Sequence, residues 1–309
     1  MLTFIVDWLA YTPIFATPLL LATLGLILNE RAGVLNLGAE GLFLCGALAA
    51  VVAYLATGGS PWLGMAAALA AGAAVSVLFA FLVVTLRADQ VVTGITIAFF
   101  GSGLTALLGG AWMNKAVGGF TAVKLGFLSE LPVVGKIVFA QDPMVYLTIP
   151  IVYLVWRFLF RTMPGLRLRA VGENPQAADA AGVSVDFYRS LAVIAGGALC
   201  GAAGGYVALA GAKIWFEDMT QGRGWIAIVL VIFARWMPGR AAFGALLFGS
   251  IEALIPRIFA AGIPVPQYFL QMTPFVATLI VLIYAALYSR ARGAAPGALG
   301  LPYVREDRR

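Results

Sequence analysis

The most polar stretch within the apolar part of the chain lies at residues 29–41 and joins two hydrophobic runs. It carries the acids Glu30 and Glu40, the amides Asn29 and Asn36, Arg31 and three glycines. Irregular backbone at membrane depth is tolerated only inside protein or beside a water-filled cavity, and transporters use interrupted helices along their pathways. If residues 35–41 are helical, Asn36 and Glu40 share one face and could bind a polar solute or an ion. The alternative is a short cytoplasmic turn with Glu30 and Arg31 at the membrane interface.

Two further acids stand in or next to apolar runs. Asp89 opens a hydrophobic stretch, where a carboxylate can cap a helix and interact favourably with its dipole, so capping and function are equal alternatives here. Glu252 lies inside a hydrophobic run, where a charge is costly and often functional. Arg257 is a candidate partner for Glu252, but a separation of five residues places the two on poorly matched helix faces.

Residues 172–182 read Gly-Glu-Asn-Pro-Gln-Ala-Ala-Asp-Ala-Ala-Gly and lie in the most basic loop of the chain. Asn174 suits a helix N-cap, Pro175 suits the first helical position, and Gly182 suits the left-handed residue that ends a helix. The alanines between them favour helix, so the segment predicts a helix of about two turns, too short to be stable alone in water. We therefore expect a surface that docks onto another protein on the cytoplasmic side. A capped connector without a partner is the alternative.

The sequence offers little of the chemistry that enzymes or metal proteins use. It has no histidine, and its two cysteines, Cys45 and Cys200, fall in apolar stretches where they serve as small packing residues. It contains neither a phosphate-binding loop pattern nor a nucleophile–base or paired-carboxylate arrangement with catalytic spacing. We expect no catalytic site, metal or cofactor in this chain. The net charge of +6 does not indicate nucleic-acid binding, because the basic residues cluster on one side of the membrane topology predicted below.

Composition places the chain in a membrane. Hydrophobic residues make up 62% of the 309 residues and charged residues 11%, whereas soluble domains carry about 25% charged residues. Because a helix needs about 20 apolar residues to cross a bilayer, the sequence predicts an all-α polytopic protein with about nine membrane helices, within a range of eight to ten. The predicted spans are residues 11–28, 42–57, 62–86, 91–113, 143–160, 190–211, 224–236, 240–260 and 272–288.

The positive-inside rule orients these spans. With the N-terminus outside and a tail at residues 290–309 inside, 14 of the 20 lysines and arginines lie on the cytoplasmic side. These are Arg31, Arg87, Arg157, Arg161, Arg167, Arg169, Arg189, Arg235, Arg240, Arg290, Arg292, Arg305, Arg308 and Arg309; the others are Lys115, Lys124, Lys136, Lys213, Arg223 and Arg257. This topology makes residues 1–289 one transmembrane domain with a cytoplasmic loop at residues 161–189.

Small residues predict one tight helix contact. Gly197, Gly201 and Gly205 repeat every four residues along one predicted helix face. Such spacing lets two helix backbones approach closely. Packing within one subunit is the favoured interpretation, and an interface between subunits is the alternative.

Four blocks of the sequence together resemble a known family. Residues 30–41, which read Glu-Arg-Ala-Gly-Val-Leu-Asn-Leu-Gly-Ala-Glu-Gly, and residues 89–94 resemble permease subunits of nucleoside ABC importers. Residues 172–182 resemble the coupling segment of the larger group, which includes ribose and branched-chain amino acid permeases. Residues 221–227 followed by 235–238 resemble a further block, so the likeness spans nearly the whole chain. Ribose permeases usually carry a Gly-Gly-Ile-Asp-Leu-Ser type sequence at the first block, which this chain lacks.

The resemblance implies a fold, partners and a mechanism. The fold would be the vitamin B12-permease-like arrangement of type II importers, in a bacterial plasma (inner) membrane. The chain would pair with a second, longer permease subunit, with ABC ATPase domains that are often fused in one chain, and with an extracytoplasmic substrate-binding lipoprotein. The partner subunits would bind and hydrolyse ATP with Mg, and ATP-driven displacement of the short helix would tilt the spans at residues 143–160 and 190–211. The implied ATPase contacts are Gly172, Glu173, Asn174, Pro175, Ala177, Ala178, Ala181 and Gly182.

The implied substrate is a nucleoside, which needs hydrogen-bond partners for its sugar and an apolar or aromatic wall for its base. Candidate pathway residues are Asn36, Glu40, Thr93, Thr96 and Phe99. A simple-sugar or branched-chain amino acid permease is the alternative within the same class. An ion-coupled secondary transporter that uses Glu40 or Glu252 is the alternative from another class.

Overall fold

The computed structural model describes residues 2–124, 126–262, 266–288 and 295–305. Within these ranges the secondary structure is helical, with no strand. Two short π-helical turns, Phe81–Thr85 and Val207–Ala212, each continue a longer α-helix. The helices are α1 Leu2–Arg31, α2 Ala39–Ala56, α3 Pro61–Ala80, α4 Gln90–Gly109, α5 Val134–Val138, α6 Pro143–Arg161, α7 Met163–Glu173, α8 Pro175–Ala180, α9 Val185–Tyr206, α10 Arg223–Ala234, α11 Pro238–Ala260 and α12 Gln267–Tyr288.

The predicted all-α membrane architecture is confirmed. Among the described residues, seven helices are long and apolar enough to cross a membrane, counting α3 and α9 with their π-helical extensions. Two shorter apolar helices, Arg223–Ala234 and Tyr268–Ile280, occupy the positions of the seventh and ninth predicted spans. Every predicted span therefore has a helix at its position, while the number of full crossings stays a prediction.

Helix α9 lies at the centre of the bundle and packs against α1, α2 and α3. The predicted glycine stripe makes this possible, because a Cβ on Gly201 would lie 2.3 Å from the carbonyl oxygen of Ala68. A Cβ on Gly197 would lie 1.6 Å from Ser76 Oγ, and a Cβ on Gly46 of α2 would lie 2.1 Å from the carbonyl oxygen of Gly201. The stripe is thus buried inside one subunit, as the favoured interpretation predicted.

The two ends of α1 separate two groups of charges. The helix has 30 residues, which corresponds to about 45 Å. Near its start Asp7 contacts Lys136 and Arg257, while at its other end Arg31 stacks on Phe160. Lys136 and Arg257 therefore lie near one end of α1 and Arg31 at the other, while the side of the membrane that each end faces stays a prediction. Arg290, Arg292, Arg308 and Arg309 lie outside the described residues.

Candidate functional site

The predicted short helix is present as α8, and its caps are the predicted ones. The Asn174 side chain accepts a hydrogen bond from the Ala177 amide at 2.9 Å, and Pro175 occupies the first turn. Gly182 has φ +81°, a left-handed conformation that favours glycine, and its amide donates to the Asp179 carbonyl at 2.9 Å. Helix α8 therefore begins and ends where local sequence signals specify.

One face of α8 is exposed and small. Ala178 is 5% exposed and faces the rest of the protein, whereas Asn174, Ala177 and Ala181 are exposed. These three residues follow a spacing of three and four, so they lie on one side of the helix. Gly172, at the end of α7, is buried, because a Cβ there would lie 2.2 Å from the Arg31 carbonyl oxygen. Among the predicted coupling residues, Gly172 therefore contacts α1 rather than the exposed face.

The polar stretch before α2 is an irregular segment inside the protein. Residues 34–36 have no regular secondary structure, and helix α2 begins at Ala39. The condition that placed Asn36 and Glu40 on one helix face is therefore not met. Asn36 is 1% exposed and its Oδ1 accepts from the Gly38 amide at 2.9 Å. The Gln90 side chain of α4 accepts from the Leu35 amide at 2.7 Å, so the segment is held by α4.

Glu40 joins the N-termini of α2 and α10. Its carboxylate accepts from the amides of Gly222 at 3.0 Å and Gly224 at 2.7 Å, and from the hydroxyl of Thr220. Glu40 is 8% exposed. A carboxylate is favourable at a helix N-terminus because it meets free amides and the positive end of the helix dipole. The described contacts of Glu40 are thus those of a joint between two helices.

The remaining predicted pathway residues lie on different faces of α4. Thr93 is 8% exposed and faces the bundle, whereas Thr96 is exposed and Phe99 is 74% exposed. The Thr96 hydroxyl donates to the carbonyl of Val92 in its own helix at 2.8 Å. The structure therefore does not bring Thr96 and Phe99 together with Asn36 and Glu40.

A buried ion pair was missed by sequence reasoning. Arg223 Nε donates to Glu252 Oε2 at 2.8 Å, and the two side chains are 16% and 7% exposed. The candidate partner Arg257 instead contacts Asp7 at 3.5 Å and stacks on Tyr11. Arg223 precedes Glu252 by 29 positions and starts α10, so only the Gly-Arg-Gly block pointed to it.

Two adjoining cavities lie against this ion pair. Their volumes are about 530 Å³ and about 580 Å³, within the range of small-molecule sites. Both border the irregular segment 213–222 that precedes α10, in which Lys213, Asp218 and Gln221 have positive φ. Shared lining residues are Phe15, Gln221, Arg223 and Pro256; Tyr11, Tyr206 and Arg257 line the first cavity, and Asp218, Glu252, Phe259 and Phe275 line the second.

A chain of contacts links α8 to these cavities. Gly172, three positions before α8, packs on the Arg31 backbone. The Arg31 side chain donates to the Trp236 carbonyl at 3.2 and 3.3 Å. Trp236 Nε1 donates to Glu30 Oε2 at 2.6 Å. Trp236 lies in the turn between α10 and α11, which carry Arg223 and Glu252. A displacement at the end of α7 can therefore reach α10 and α11, two of the helices that line the second cavity.

Comparison with known proteins agrees with this architecture. Residues 8–287 match the family model described as "Branched-chain amino acid transport system / permease component". The chain is 40% identical to a putative glucose ABC transporter permease protein of Haloferax volcanii, over 94% of the present chain and 95% of the relative. It is 35% identical to the guanosine ABC transporter permease protein of Bacillus subtilis, over 96% of each chain. It is 37% identical to the nucleoside ABC transporter permease protein of Lactococcus lactis, over 94% and 95% of the two chains.

These similarities cover nearly the full length of the chain and of its relatives. The relatives are described as permease proteins of ABC transporters. The apolar spans make the present chain a multi-pass membrane protein of the same kind. The chain belongs to the permease component family of branched-chain amino acid type ABC transport systems.

Proposed function

We propose that this permease subunit moves nucleosides into the cell by alternating access. In this proposal a second, longer permease subunit completes the membrane unit. ATPase domains, fused in one chain or separate, bind and hydrolyse ATP with Mg, and an extracytoplasmic lipoprotein delivers the nucleoside. ATP supplies the free energy that shifts the equilibrium between the two conformations, so a difference in ligand affinity alone does not have to drive transport.

The observation that carries the choice of substrate is the lining of the two adjoining cavities. Phe15, Phe259 and Phe275 offer flat apolar rings against which a purine or pyrimidine base can stack. Gln221 and the Arg223–Glu252 pair offer donors and acceptors for ribose hydroxyls. The two relatives described as guanosine and nucleoside permeases support the same substrate class.

A simple sugar is the second candidate, because the relative from Haloferax volcanii at 40% identity is described as a putative glucose permease. A sugar shares the hydroxyl groups but lacks the base. Competition for uptake separates the candidates. The complete transporter in proteoliposomes should take up labelled guanosine, with unlabelled adenosine competing and with glucose, xylose and leucine leaving uptake unchanged. Uptake of labelled glucose without uptake of guanosine would refute the nucleoside proposal.

Side-chain removal tests the cavity itself. Phe15→Ala and Gln221→Ala should each raise the KM for guanosine, for Phe15→Ala by roughly fivefold or more, since a stacked base is worth about 1–3 kcal/mol. Phe99→Ala tests the rival pathway face on α4 that the sequence suggested. Phe243→Ala, which removes an outward ring that is 64% exposed on α11, is the matched control. A larger KM change for Phe99→Ala than for Phe15→Ala would contradict the assignment of the cavity.

For coupling, we propose that the ATPase contacts the exposed face of α8. Ala181→Arg adds a bulky cation to that face without touching the buried Ala178. The variant should insert and assemble normally, while substrate-stimulated ATP hydrolysis falls by roughly tenfold, as expected for a steric clash at the centre of an interface. Ala116→Arg, at an exposed position in the loop after α4, is the control. Unchanged stimulation in Ala181→Arg would refute docking at this face.

A further inference from the structure

Residues 295–305 fold back onto the coupling region. The Ala298 amide donates to the Gly172 carbonyl at 2.9 Å, and the Gly300 amide donates to the Gly33 carbonyl at 3.2 Å. Gly172 lies near the end of α7, three positions before α8. Gly33 lies in the irregular segment 32–38 before α2. A stretch of three residues thus bridges two functional blocks that are separated by well over a hundred positions in the sequence.

The same residues cover a buried cation. Arg189 is 2% exposed, and its Nη1 donates to the Leu301 carbonyl at 3.0 Å. Its Nε and Nη2 atoms have no hydrogen-bond partner among the described residues. A buried charge is costly unless it is paired or hydrogen-bonded. The Leu301 carbonyl therefore stabilises Arg189 at the start of α9, next to the coupling loop.

A second contact reaches α8 directly. Arg305 Nε donates to Asp179 Oδ2 at 3.1 Å, and Tyr303 hydrogen-bonds with the same carboxylate. Desolvation and the hydrogen bond to Asp179 raise the pKa of the Tyr303 phenol above its ordinary value. Asp179 thus has two partners from residues 295–305, and these contact α8 on a side other than the exposed face at Asn174, Ala177 and Ala181.

We propose that residues 296–305 form a tail strap that positions α8 relative to the irregular segment before α2 and moves with α8 during the transport cycle. The strap connects the proposed ATPase contact on α8 to the Gly33 backbone, so that the two move together. A displacement of α8 then reaches the joint at Glu40 through Gly33 as well as through Arg31. The tail strap rests on the proposed coupling role of α8, but it does not depend on which substrate is carried.

Charge exchange tests the contact with α8. Arg305→Glu and Asp179→Arg should each lower the amount of labelled guanosine taken up per ATP hydrolysed by roughly two- to fivefold, the range of an exposed ion pair. The double variant should restore the wild-type ratio, because it rebuilds the pair with reversed charges. Arg240→Glu, an equal charge change at an exposed position at the start of α11, is the control. A ratio that stays at the wild-type value in both single variants would overturn the tail strap.

A backbone substitution tests the other end of the strap. Ala298→Pro removes the amide that donates to Gly172 and should lower the same ratio by about fivefold, the value of one hydrogen bond. Pro302→Ala, in the same stretch, is the control because proline has no amide hydrogen to lose. Hydrogen exchange of the isolated permease gives an independent readout: α8 and residues 33–38 should both exchange faster in Ala298→Pro. Unchanged exchange in both segments would also overturn the proposal.

Cross-linking tests whether the tail strap stays on α8 during transport or must detach from it. Asp179→Cys with Arg305→Cys can be joined by a short bifunctional thiol reagent, since both native cysteines are buried. A strap that moves with α8 predicts that the cross-linked complex retains coupled uptake. Loss of uptake on cross-linking, reversed by reduction of a cleavable linker, would show that the tail must detach and would refute the proposal. Because Ala181→Arg tests α8 docking separately, failure of the strap alone and failure of the coupling proposal give different results.

Discussion

Two interrupted stretches of this chain, residues 32–38 before α2 and residues 213–222 before α10, serve different purposes. The first packs closely against α4: a Cβ on Gly38 would lie 2.9 Å from Ile97, and a Cβ on Gly94 of α4 would lie 2.8 Å from the Leu37 amide. The second borders two cavities and leads into a buried ion pair. Helix interruptions in membranes are often taken as pathway markers. Among the described residues, the first interruption of this permease leads into the joint at Glu40, whereas the second borders the two cavities described above.

The largest expected effect comes from the joint. Glu40→Ala removes the acceptor of two amides and one hydroxyl and leaves them buried without a partner. We expect a loss of about 4 kcal/mol or more in the free energy of unfolding, since each unsatisfied buried donor costs about 1–3 kcal/mol. The thermal unfolding midpoint of the permease in detergent measures this loss. A midpoint within a degree of the wild type would mean that Glu40 faces the pathway after all.

The ion pair beside the cavity should contribute less to the free energy of unfolding than Glu40 does. Arg223→Ala leaves Glu252 unpaired, but water in the adjoining cavity can solvate it, so we expect about 2 kcal/mol rather than the 3–5 kcal/mol of a fully buried pair. The double variant Arg223→Met with Glu252→Leu should be more stable than Arg223→Ala. Lys136→Met, in a pair whose lysine side chain is 57% exposed, should change stability little. If Arg223→Ala destabilises as much as Glu40→Ala, the second interruption is packed like the first.

Close packing around the first interruption can be tested with one methyl group. A Cβ on Gly41 would lie 2.4 Å from the Ile97 carbonyl oxygen, whereas a Cβ on Gly103 of α4 meets nothing within 4 Å. Gly41→Ala should therefore cost about 1.5 kcal/mol through overpacking. Gly103→Ala should be neutral or slightly stabilising, because alanine favours helix. Equal unfolding midpoints for the two variants would show that α2 and α4 separate easily.

The smallest expected effect is at the N-terminal cap of α8. Asn174→Ala removes the side-chain cap of α8 and should cost about 1 kcal/mol, mainly as faster hydrogen exchange of the α8 amides. Ser184→Ala is a matched control, because Ser184 precedes α9 without a side-chain capping bond. Similar exchange of α8 in the two variants would show that packing of Ala178, rather than the cap, holds this helix.

Local features were predictable from the sequence. The caps of α8 depend on residues within a few positions of each other, such as Asn174 with Ala177, and side-chain type alone specifies them. The close approach of α9 to its neighbours follows from the spacing of Gly197 and Gly201, because residues without a side chain let two helix backbones come into contact. The positions of the spans follow from their apolar length.

Tertiary features were not predictable in the same way. Helix α4 is apolar on every side, so no periodic pattern indicates that Phe99 faces outward and Thr93 inward. The partner of Glu252 lies 29 positions away on another helix, and only the packing of α10 on α11 brings Arg223 to it. The contact between Ala298 and Gly172 is a hydrogen bond between backbone atoms, and the types of the two residues do not indicate it.

The carboxylate of Glu40 has a geometric consequence. It pins α2 and α10 together at their first turns, so that α2 extends 18 residues to one side and α10 extends 12 residues to the other. These lengths correspond to lever arms of about 27 Å and about 18 Å around one fulcrum. A rigid tilt about that fulcrum moves the far tip of α2 about one and a half times as far as the tip of α10, and in the opposite direction. A small push at the tip of α10 would thereby produce a larger movement, in the opposite direction, at the tip of α2.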